Sequence, residues 1–472
     1  ADVVVYDSLV GQGILTRIPA SAKLINVGKR AGHHTMPQEK INQVLADEAK
    51  KGNRVVRLKG GDPFLFGRGG EELELLTKEG IPYEIVPGVT SPISVPAYNG
   101  IPVTHRDFCS SLHIITGHKR AGQEYDIDFK ALTRTKGTLV FLMGIAALED
   151  ICKGLLAGGM DPNVPAAVLQ KGTTAGQKRV VATVGTLKEE VDRQGIETPA
   201  IIVVGKVCSL ADKFAWYEKL PLAGWKVLVT RPRQHISKTA DLLRQKGAEV
   251  LELPSICTVP VEDNGRLYEA FEKLDTYQWI IFTSPAGVEI FFDEMDRKEM
   301  DVRSLGQAKI AVIGEGTKKK LKEHHLLADF VPGVYDGDTL GAELAKELQG
   351  NEKILIPRAE AGNKKLTELL EQTGAQVDDI ATYTTRYEKS RLIDEKKELE
   401  TGSVDCVVFT SASTVKGFVE GTKGLDYTKV KAACIGKQTK AAADAYGMQT
   451  RMAKKATIES LIELVEEMKQ EN

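Results

Sequence analysis

The sequence predicts an α/β fold made of several mainly parallel sheets. Short strands rich in valine and isoleucine alternate with amphipathic helical segments, which is the order expected of βαβ units. With 472 residues the chain is too long for a single hydrophobic core. A repeat in the second half indicates two similar lobes there. We therefore predict two α/β regions, each made of two lobes.

Composition and charge narrow the classes of function. Hydrophobic residues make up 42% and charged residues 27% of the chain, as in ordinary globular proteins. The formal net charge of -2 does not favour nonspecific binding of nucleic acid. No apolar run approaches the roughly 18–20 residues that cross a bilayer, and no signal peptide is visible. We therefore expect a cytoplasmic protein that binds neither membrane nor nucleic acid.

Cysteine and histidine spacing predicts no metal site. The six cysteines are scattered without a C-x-x-C pair, which argues against zinc ribbons and disulfide frameworks. The pairs His33-His34 and His324-His325 are adjacent in sequence, whereas two histidines on one face of a helix are spaced by four.

The first half alternates strand and helix and then restarts. A capping box at Thr35-Met36-Pro37-Gln38 predicts the start of a helix that closes at Gly52. The pattern restarts after about residue 107, so we expect two lobes joined there, with a cleft between them. The predicted strands are Ala1–Val5, Val55–Leu58, Pro82–Val86, Leu112–Thr116, Thr138–Met143, Ala166–Leu169 and Ala200–Val204.

The second half contains three strand-and-turn units, each present twice. The chain therefore contains six such segments. The first, fifth and sixth segments would complete one lobe, and the second, third and fourth would form the other. The connecting segments 251–261 and 379–387 are β-prone and are expected to pair side by side. The repeated pairs are IIFTSPAGVEIFF (280–292) with VVFTSASTVKGFV (407–419), IAVIGEGTKKKL (310–321) with AACIGKQTKAAA (432–443), and VLVTRPR (227–233) with ILIPRAE (354–360).

The stretch at residues 54–72, RVVRLKGGDPFLFGRGGEE, gives the strongest indication of a binding site. Glycines after a strand let the backbone approach a ligand, and the helix that opens at Glu71 presents free N–H groups. Asp62 and Arg68 add a carboxylate and a cation to the same loop. This combination predicts a small-molecule site rather than a plain strand–helix turn.

Across residues 1–210 the chain resembles uroporphyrinogen-III C-methyltransferases, through ADVVVYDSLV, VGKRAGHHTMPQEKIN, VVRLKGGDPFLFGRGGEE, VPGVTSPISVPAYNGIPVTHRD, GTLVFLMG and TPAIIVVGKV. The resemblance implies a two-lobed tetrapyrrole methyltransferase that binds S-adenosylmethionine between its lobes and releases S-adenosyl-L-homocysteine. It also implies a homodimer formed through this half. The positions that match cofactor contacts are Gly60, Gly61, Asp62, Thr90, Ser91, Met143, Ala167 and Ala200.

The same resemblance implies a tetrapyrrole substrate with many carboxylates, which arginines are suited to bind. Arg68 and Arg106 match the family's substrate side, and Asp7 and Glu71 also lie at matching positions. We hypothesise that Arg68 orients the macrocycle and helps to remove a pyrrole proton, while Glu71 holds Arg68. Family members open with a strand and a GAGPGD-type loop. The sequence starts at Ala1 without an initiator methionine or that loop. Either it is a fragment of a longer chain, which we favour, or the methyltransferase half is impaired as given.

Across residues 220–468 the chain resembles uroporphyrinogen-III synthases, through VLVTRPR, IIFTSPAGV, AVIGEGT, IATYTTRY and VVFTSAST. The resemblance implies that hydroxymethylbilane is closed to uroporphyrinogen III, with inversion of ring D and release of water. Tyr383 matches a tyrosine of the family and is a candidate proton donor to the leaving hydroxyl, and Arg358 is a candidate propionate ligand. Expected substrate contacts at the carboxyl ends of strands are Thr230, Arg231, Thr283, Ser284, Thr410, Ser411, Ser413 and Thr439.

Together the resemblances imply a bifunctional enzyme that makes uroporphyrinogen III and methylates it at C2 and C7 to precorrin-2, towards sirohaem or cobalamin. One alternative is that the second half only binds or senses a tetrapyrrole. Another is that the first half acts on a later corrin intermediate. The predicted domains are a methyltransferase at 1–218 (lobes about 1–107 and 108–218), a linker at 219–224, and a synthase at 225–472 (one lobe at 225–256 plus 386–472, the other at 257–385).

Overall fold

The computed structural model describes residues 1–472 except 8, 16, 20, 29–35, 118–126, 231–236, 254–255, 361, 363, 388–393 and 472. The described chain contains four sheets and groups into two compact units. The first unit consists of Ala1–Arg231, His235–Leu253 and Ser390–Asn472, and the second consists of Pro232–Gln234 and Pro254–Lys389. Among the described helices, none has both the length and the apolar character needed to cross a bilayer.

The first sheet is parallel and has the strand order β2-β1-β3. Val3 and Val5 of its central strand are buried against Ile41 and Leu45 of α2, which recur at helical spacing. The strands are β1 (Val3–Tyr6), β2 (Lys23–Asn26) and β3 (Val55–Leu58), and the helices are α1 (Gln12–Leu15), α2 (Gln38–Lys50) and α3 (Gly69–Lys78).

Two local predictions for this sheet need correction or lie outside the described residues. Pro82–Val86 is not a strand: the chain from Ile81 to Thr90 has no regular structure and Val86 is exposed. Pro82 and Pro87 lack the N–H groups that a ladder needs, so the β-prone residues between them find no partner strand. Thr35 of the predicted capping box lies outside the described residues, and α2 begins after an extended Pro37.

The second sheet mixes parallel and antiparallel pairs, in the order β4-β5-β8-β6-β7. Val95 of α4 packs with Val140, Ala167 and Val203 of this sheet, so α4 leads from the loop after the first sheet into the second core. The strands are β4 (Leu112–Thr116), β5 (Thr138–Leu142), β6 (Pro165–Gln170), β7 (Lys178–Thr183) and β8 (Ala200–Val204), and the helices are α4 (Ser91–Tyr98), α5 (Phe129–Thr135), α6 (Leu148–Ala157) and α7 (Leu187–Arg193).

The third sheet is fully parallel, in the order β10-β9-β16-β17-β18, and belongs to the first compact unit. Its four strands other than the edge strand β18 are mostly buried, as expected of a parallel sheet covered by helices, whereas β18 (QTRM) is half-buried or exposed. The strands are β9 (Lys226–Thr230), β10 (Glu249–Leu253), β16 (Cys406–Phe409), β17 (Lys431–Cys434) and β18 (Gln449–Met452), and the helices are α8 (Ser237–Gln245), α14 (Glu395–Glu400), α15 (Ala412–Gly421), α16 (Lys437–Asp444) and α17 (Ile458–Gln470).

The fourth sheet forms the second compact unit, in the order β11-β15-β14-β12-β13. The strands are β11 (Ile256–Pro260), β12 (Trp279–Phe282), β13 (Lys309–Val312), β14 (Lys353–Ala359) and β15 (Gln376–Tyr387), and the helices are α9 (Gly265–Phe271), α10 (Pro285–Arg297), α11 (Glu315–Glu323), α12 (Gly337–Leu344) and α13 (Lys364–Glu371). The predicted pairing of the two connecting segments is confirmed, since β11 and β15 run antiparallel with Pro260 opposite Tyr383.

The third and fourth sheets share a strand order that corresponds to the repeat in the sequence. The order β10-β9-β16-β17 in one sheet corresponds to β15-β14-β12-β13 in the other. The first, fifth and sixth repeat segments (β9, β16 and β17) therefore share one sheet. The second, third and fourth (β12, β13 and β14) share the other, as the sequence predicts. The α/β fold class is confirmed. The domain boundaries drawn from the sequence stay a prediction.

Candidate functional sites

The loop that follows β3 is held in place by the side chain of Asp62. Its Oδ1 accepts hydrogen bonds from the backbone N–H groups of Phe64 and Leu65, at 2.8 and 3.0 Å. Its Oδ2 accepts one from Gly88 N at 3.0 Å. These N–H groups, that of Gly88 foremost, hold the pKa of Asp62 below its usual range. Asp62 therefore stays ionised and joins two loops that are 26 residues apart in sequence.

Glycine is required where these two loops meet. A Cβ atom at position 88 would lie 2.3 Å from the carbonyl oxygen of Gly61, and Gly61 itself has a φ of +76°. The buried Thr90 is adjacent, with Oγ1 3.6 Å from the Cβ position of Gly61. Thr90 is the N-cap residue of α4 but makes no side-chain cap hydrogen bond. The structure thus brings three predicted cofactor residues, Gly61, Asp62 and Thr90, to one place.

Asp7 belongs to a half-buried network of charged side chains that the sequence analysis missed. Asp7 Oδ2 pairs with Arg57 Nη2 at 3.2 Å, and Arg57 Nε pairs with Glu72 Oε1 at 3.1 Å. Lys59 Nζ also reaches Glu72 Oε1, at 2.9 Å. Arg57 is the sequence signal that could have predicted this network. It lies within an apolar strand, and a charged residue that is buried there needs a partner of opposite charge.

Arg68 and Glu71 form an exposed ion pair at the start of α3. Arg68 Nε donates to Glu71 Oε1 at 2.9 Å, and Arg68 Nη2 contacts Glu71 Oε2 as well. Their side chains are 53% and 49% exposed, so both remain accessible to a ligand. The partner carboxylate raises the pKa of Arg68, and Arg68 lowers the pKa of Glu71. Glu71 therefore holds the charged guanidinium of Arg68 in one geometry at the start of α3.

The remaining predicted residues of the first half differ in exposure. Met143 follows β5 with a φ of +56° and is 56% exposed, so it is not a core residue at the end of a buried strand. Ala167 is fully buried within the second sheet, and the structure does not bring its side chain to the surface. Ala200 begins β8 and is half-buried, and Ser91 and Arg106 are exposed.

The second compact unit contains a pair of hydroxyl groups between β12 and β15. The hydroxyl groups of Ser284 and Tyr383 lie 2.6 Å apart, and Ser284 Oγ also accepts from Gly287 N at 2.9 Å as the N-cap of α10. Only 6% of Tyr383 is exposed, and burial raises the pKa of its phenol. Thr283 is half-buried beside this pair. Because one hydroxyl of the pair donates to the other, the pair retains one O–H that can donate to a ligand.

Other predicted synthase residues lie in different surroundings. Thr230 is fully buried and its hydroxyl donates to Val408 O at 3.0 Å, so the structure does not present this hydroxyl to a ligand. Arg358 is also buried and is ion-paired with Asp379, which leaves it poorly placed for a propionate. Arg231 lies outside the described residues.

Four further predicted hydroxyl residues follow strands of the third sheet. Thr410 and Ser411 come after β16 and are half-buried, and Ser411 caps α15 through a capping box with Thr414. Ser411 Oγ also contacts Ser413 Oγ at 2.9 Å. Thr439 lies in α16 and is buried. Ser411 is therefore occupied in part by its own helix.

Two family models match separate parts of the chain. Residues 1–188 match the Tetrapyrrole (Corrin/Porphyrin) Methylases, and residues 237–463 match Uroporphyrinogen-III synthase HemD. The fold and these matches define the class: a tetrapyrrole methylase joined to a uroporphyrinogen-III synthase region, as the sequence predicts.

Individual relatives match nearly all of the chain or large parts of it. The porphyrin biosynthesis protein HemD of Ruminiclostridium josui is 46% identical over 98% of this chain and 92% of its own length. The chain belongs to this family of fused porphyrin-biosynthesis enzymes. Uroporphyrinogen-III C-methyltransferase of Bacillus subtilis is 38% identical over 69% of this chain and 67% of its own length. A crystal structure of uroporphyrin-III C-methyl transferase from Thermus thermophilus complexed with S-adenyl homocysteine is 35% identical, covers 44% of this chain and 87% of that chain, and has a TM-score of 0.38.

Proposed function

We propose that the chain carries out two consecutive steps of tetrapyrrole synthesis. The synthase region closes hydroxymethylbilane to uroporphyrinogen III, with inversion of ring D and loss of water. The methylase region then adds methyl groups at C2 and C7 to give precorrin-2. The observation that carries this proposal is the presence, on one chain, of both enzyme families, because the product of one is the substrate of the other.

The residues present fit S-adenosylmethionine as the methyl donor. Thr90 makes no side-chain cap hydrogen bond to α4, and its hydroxyl suits the carboxylate of the methionine part. Exposed Met143 offers an apolar surface for adenosine. When bound, the donor would supply the methyl group of its sulfonium. The demethylated donor would then leave as S-adenosyl-L-homocysteine. The chain's own residues orient the donor and exclude other geometries.

Arg68 is proposed to orient the macrocycle by pairing with its carboxylates. The guanidinium is half exposed and is already held by Glu71 in one geometry. A guanidinium binds a carboxylate through two parallel hydrogen bonds, which fixes direction as well as distance. Removal of the pyrrole proton by Arg68 requires a neutral guanidine, and the ion pair with Glu71 disfavours that form. We therefore assign Arg68 the orienting role, and its role in proton removal stays a prediction.

Replacing Arg68 tests this role. For Arg68→Leu we expect kcat/KM for methylation of uroporphyrinogen III to fall by about tenfold to a hundredfold, as expected when hydrogen bonds to a charged group are lost. Arg193→Leu is the matched control, because Arg193 forms a similar exposed pair with Glu190 on α7. Normal methylation by Arg68→Leu would exclude the orienting role.

The synthase step is tested by the isomer that the chain produces. We expect hydroxymethylbilane to yield uroporphyrinogen III, and the proposal that the hydroxyl pair of Ser284 and Tyr383 stabilises the leaving hydroxyl is supported by their 2.6 Å contact. Chromatography of the oxidised porphyrins separates the type I and type III isomers. If only the type I isomer formed at the spontaneous rate, the second half would bind or sense a tetrapyrrole instead.

A further inference from the structure

Gln12 connects the methylase region to the sheet that begins at Lys226. Its Nε2 donates to Glu398 Oε1 at 2.7 Å, and its Oε1 accepts from Lys226 Nζ at 3.3 Å. Lys226 Nζ also pairs with Glu398 Oε2 at 2.9 Å. The side chains of Lys226 and Glu398 are only 11% and 20% exposed, so solvent competes weakly for these groups. Both ends of the Gln12 amide are therefore satisfied by residues of the third sheet region.

Neighbouring contacts make this attachment rigid. Glu249 Oε2 of β10 accepts a hydrogen bond from Ala175 N at 2.8 Å, and the buried Tyr217 hydroxyl donates to Gly247 O at 3.0 Å. Gly13 of α1 lies against β10, with its Cβ position 3.9 Å from Val250 O. All these residues belong to the first compact unit.

The chain just before Gln12 reaches the glycine loop of the methylase. Leu9 N donates to Asp7 Oδ1 at 3.0 Å, and a Cβ atom at position 60 would lie 2.7 Å from Leu9 O. The Leu9 side chain is 75% exposed, so burial of this side chain does not hold the segment in place. Val10 and Leu15 pack in the hydrophobic core beneath the first sheet. Gln12 holds the same segment from its other side, through hydrogen bonds with Glu398 and Lys226.

We propose that Gln12 and Lys226 are positioning residues for methyl transfer. By holding α1, the third sheet keeps the backbone of Leu9, which donates to Asp7, against Gly60 in the geometry that receives the cofactor. The inference rests on the proposed function, because it treats Gly60 as part of the cofactor site. The synthase region then has a structural role in methylation that is separate from its own reaction.

Calorimetric titration of the full chain with S-adenosylhomocysteine tests the inference. For Gln12→Ala we expect Kd to rise about tenfold, equivalent to about 1.4 kcal/mol, with the rate of hydroxymethylbilane closure unchanged. KM for S-adenosylmethionine should rise by a similar factor, with a smaller change in kcat. Lys238→Ala is the control, because its exposed ion pair with Glu459 joins α8 to α17 and includes no residue of α1.

A double substitution separates positioning from general loss of structure. Gln12→Glu combined with Glu398→Gln exchanges the amide and the carboxylate, and keeps a donor–acceptor pair beside Lys226. We expect this double variant to bind within about twofold of the parent, a recovery that a merely destabilised α1 would not show. An unchanged Kd in Gln12→Ala, or no recovery in the double variant, would refute the positioning role alone. Failure of the parent chain to bind S-adenosylhomocysteine would contradict the proposed function as well.

Discussion

At the scale of single residues, the two proposed reactions depend on side chains in different electrostatic states. Tyr383 is buried, and its raised pKa keeps the phenol protonated at neutral pH. Arg68 is exposed and is kept positively charged by Glu71. A protonated phenol suits the release of a hydroxyl group as water, and a fixed cation suits the binding of carboxylates.

Removing the Tyr383 hydroxyl should impair ring closure. For Tyr383→Phe we expect kcat for conversion of hydroxymethylbilane to fall on the order of a hundredfold, the size of a typical proton-donor contribution. Tyr277→Phe is the matched control, because Tyr277 is also a buried tyrosine of the fourth sheet and its hydroxyl contacts Asp378 instead. Equal rates in the two variants would show that the Tyr383 hydroxyl has no part in the reaction.

The pH dependence of methylation should reflect the lowered pKa of Glu71. A carboxyl group with a lowered pKa in the folded protein keeps its ion pair above its ordinary pKa of about 4.3 and loses it as the pH falls towards the folded value. Between about pH 5 and 8 we therefore expect no titration of Glu71 in kcat/KM. Glu71→Gln should lower kcat/KM by about two- to fivefold, the range that an exposed ion pair supplies. A titration near pH 6 that Glu71→Gln abolishes would contradict this assignment.

Single residues also show what sequence reasoning can and cannot provide. Asp62 and Arg68 were predictable because they follow a strand within a glycine loop. The network of Asp7, Arg57 and Glu72 was not, because Asp7 follows β1, Arg57 lies in β3 and Glu72 lies in α3, and they meet only in the folded chain. Thr230 ends its strand as predicted, but the direction of its hydroxyl depends on the neighbouring strand β16.

At the scale of elements, the proposed methylase site contains a close contact between the loops at Gly61 and Gly88. Asp62 bridges these loops, and α4 carries the second loop into the core of the second sheet. The predicted strand Pro82–Val86 was wrong for a physical reason at this scale. A strand needs a partner with matching N–H and C=O groups, and residue composition alone does not supply one.

Adding one methyl group at this contact should disturb cofactor binding. Since a Cβ at position 88 would clash with Gly61 O, we expect Gly88→Ala to raise Kd for S-adenosylhomocysteine by at least about tenfold. Gly70→Ala is the control, because no heavy atom lies within 4 Å of that Cβ position. The same calorimetric titration measures both variants, and equal Kd values would refute the importance of this contact.

At the scale of the whole molecule, the duplicated strand order was predictable because the repeat units were visible in the sequence. The attachment of α1 to the third sheet was not, because Gln12 and Glu398 are 386 positions apart. The homodimer and the end product, sirohaem or cobalamin, stay predictions from the family resemblance, and the cytoplasmic location stays a prediction from the sequence composition.

The most direct measurement of the central claim is one incubation of the full chain with hydroxymethylbilane and S-adenosylmethionine. Mass spectrometry of the products, with separation of isomers, reports both steps at once. We predict a type III macrocycle that carries two added methyl groups. A type I macrocycle, or a type III macrocycle without added methyl groups, would contradict the claim that this chain performs both reactions.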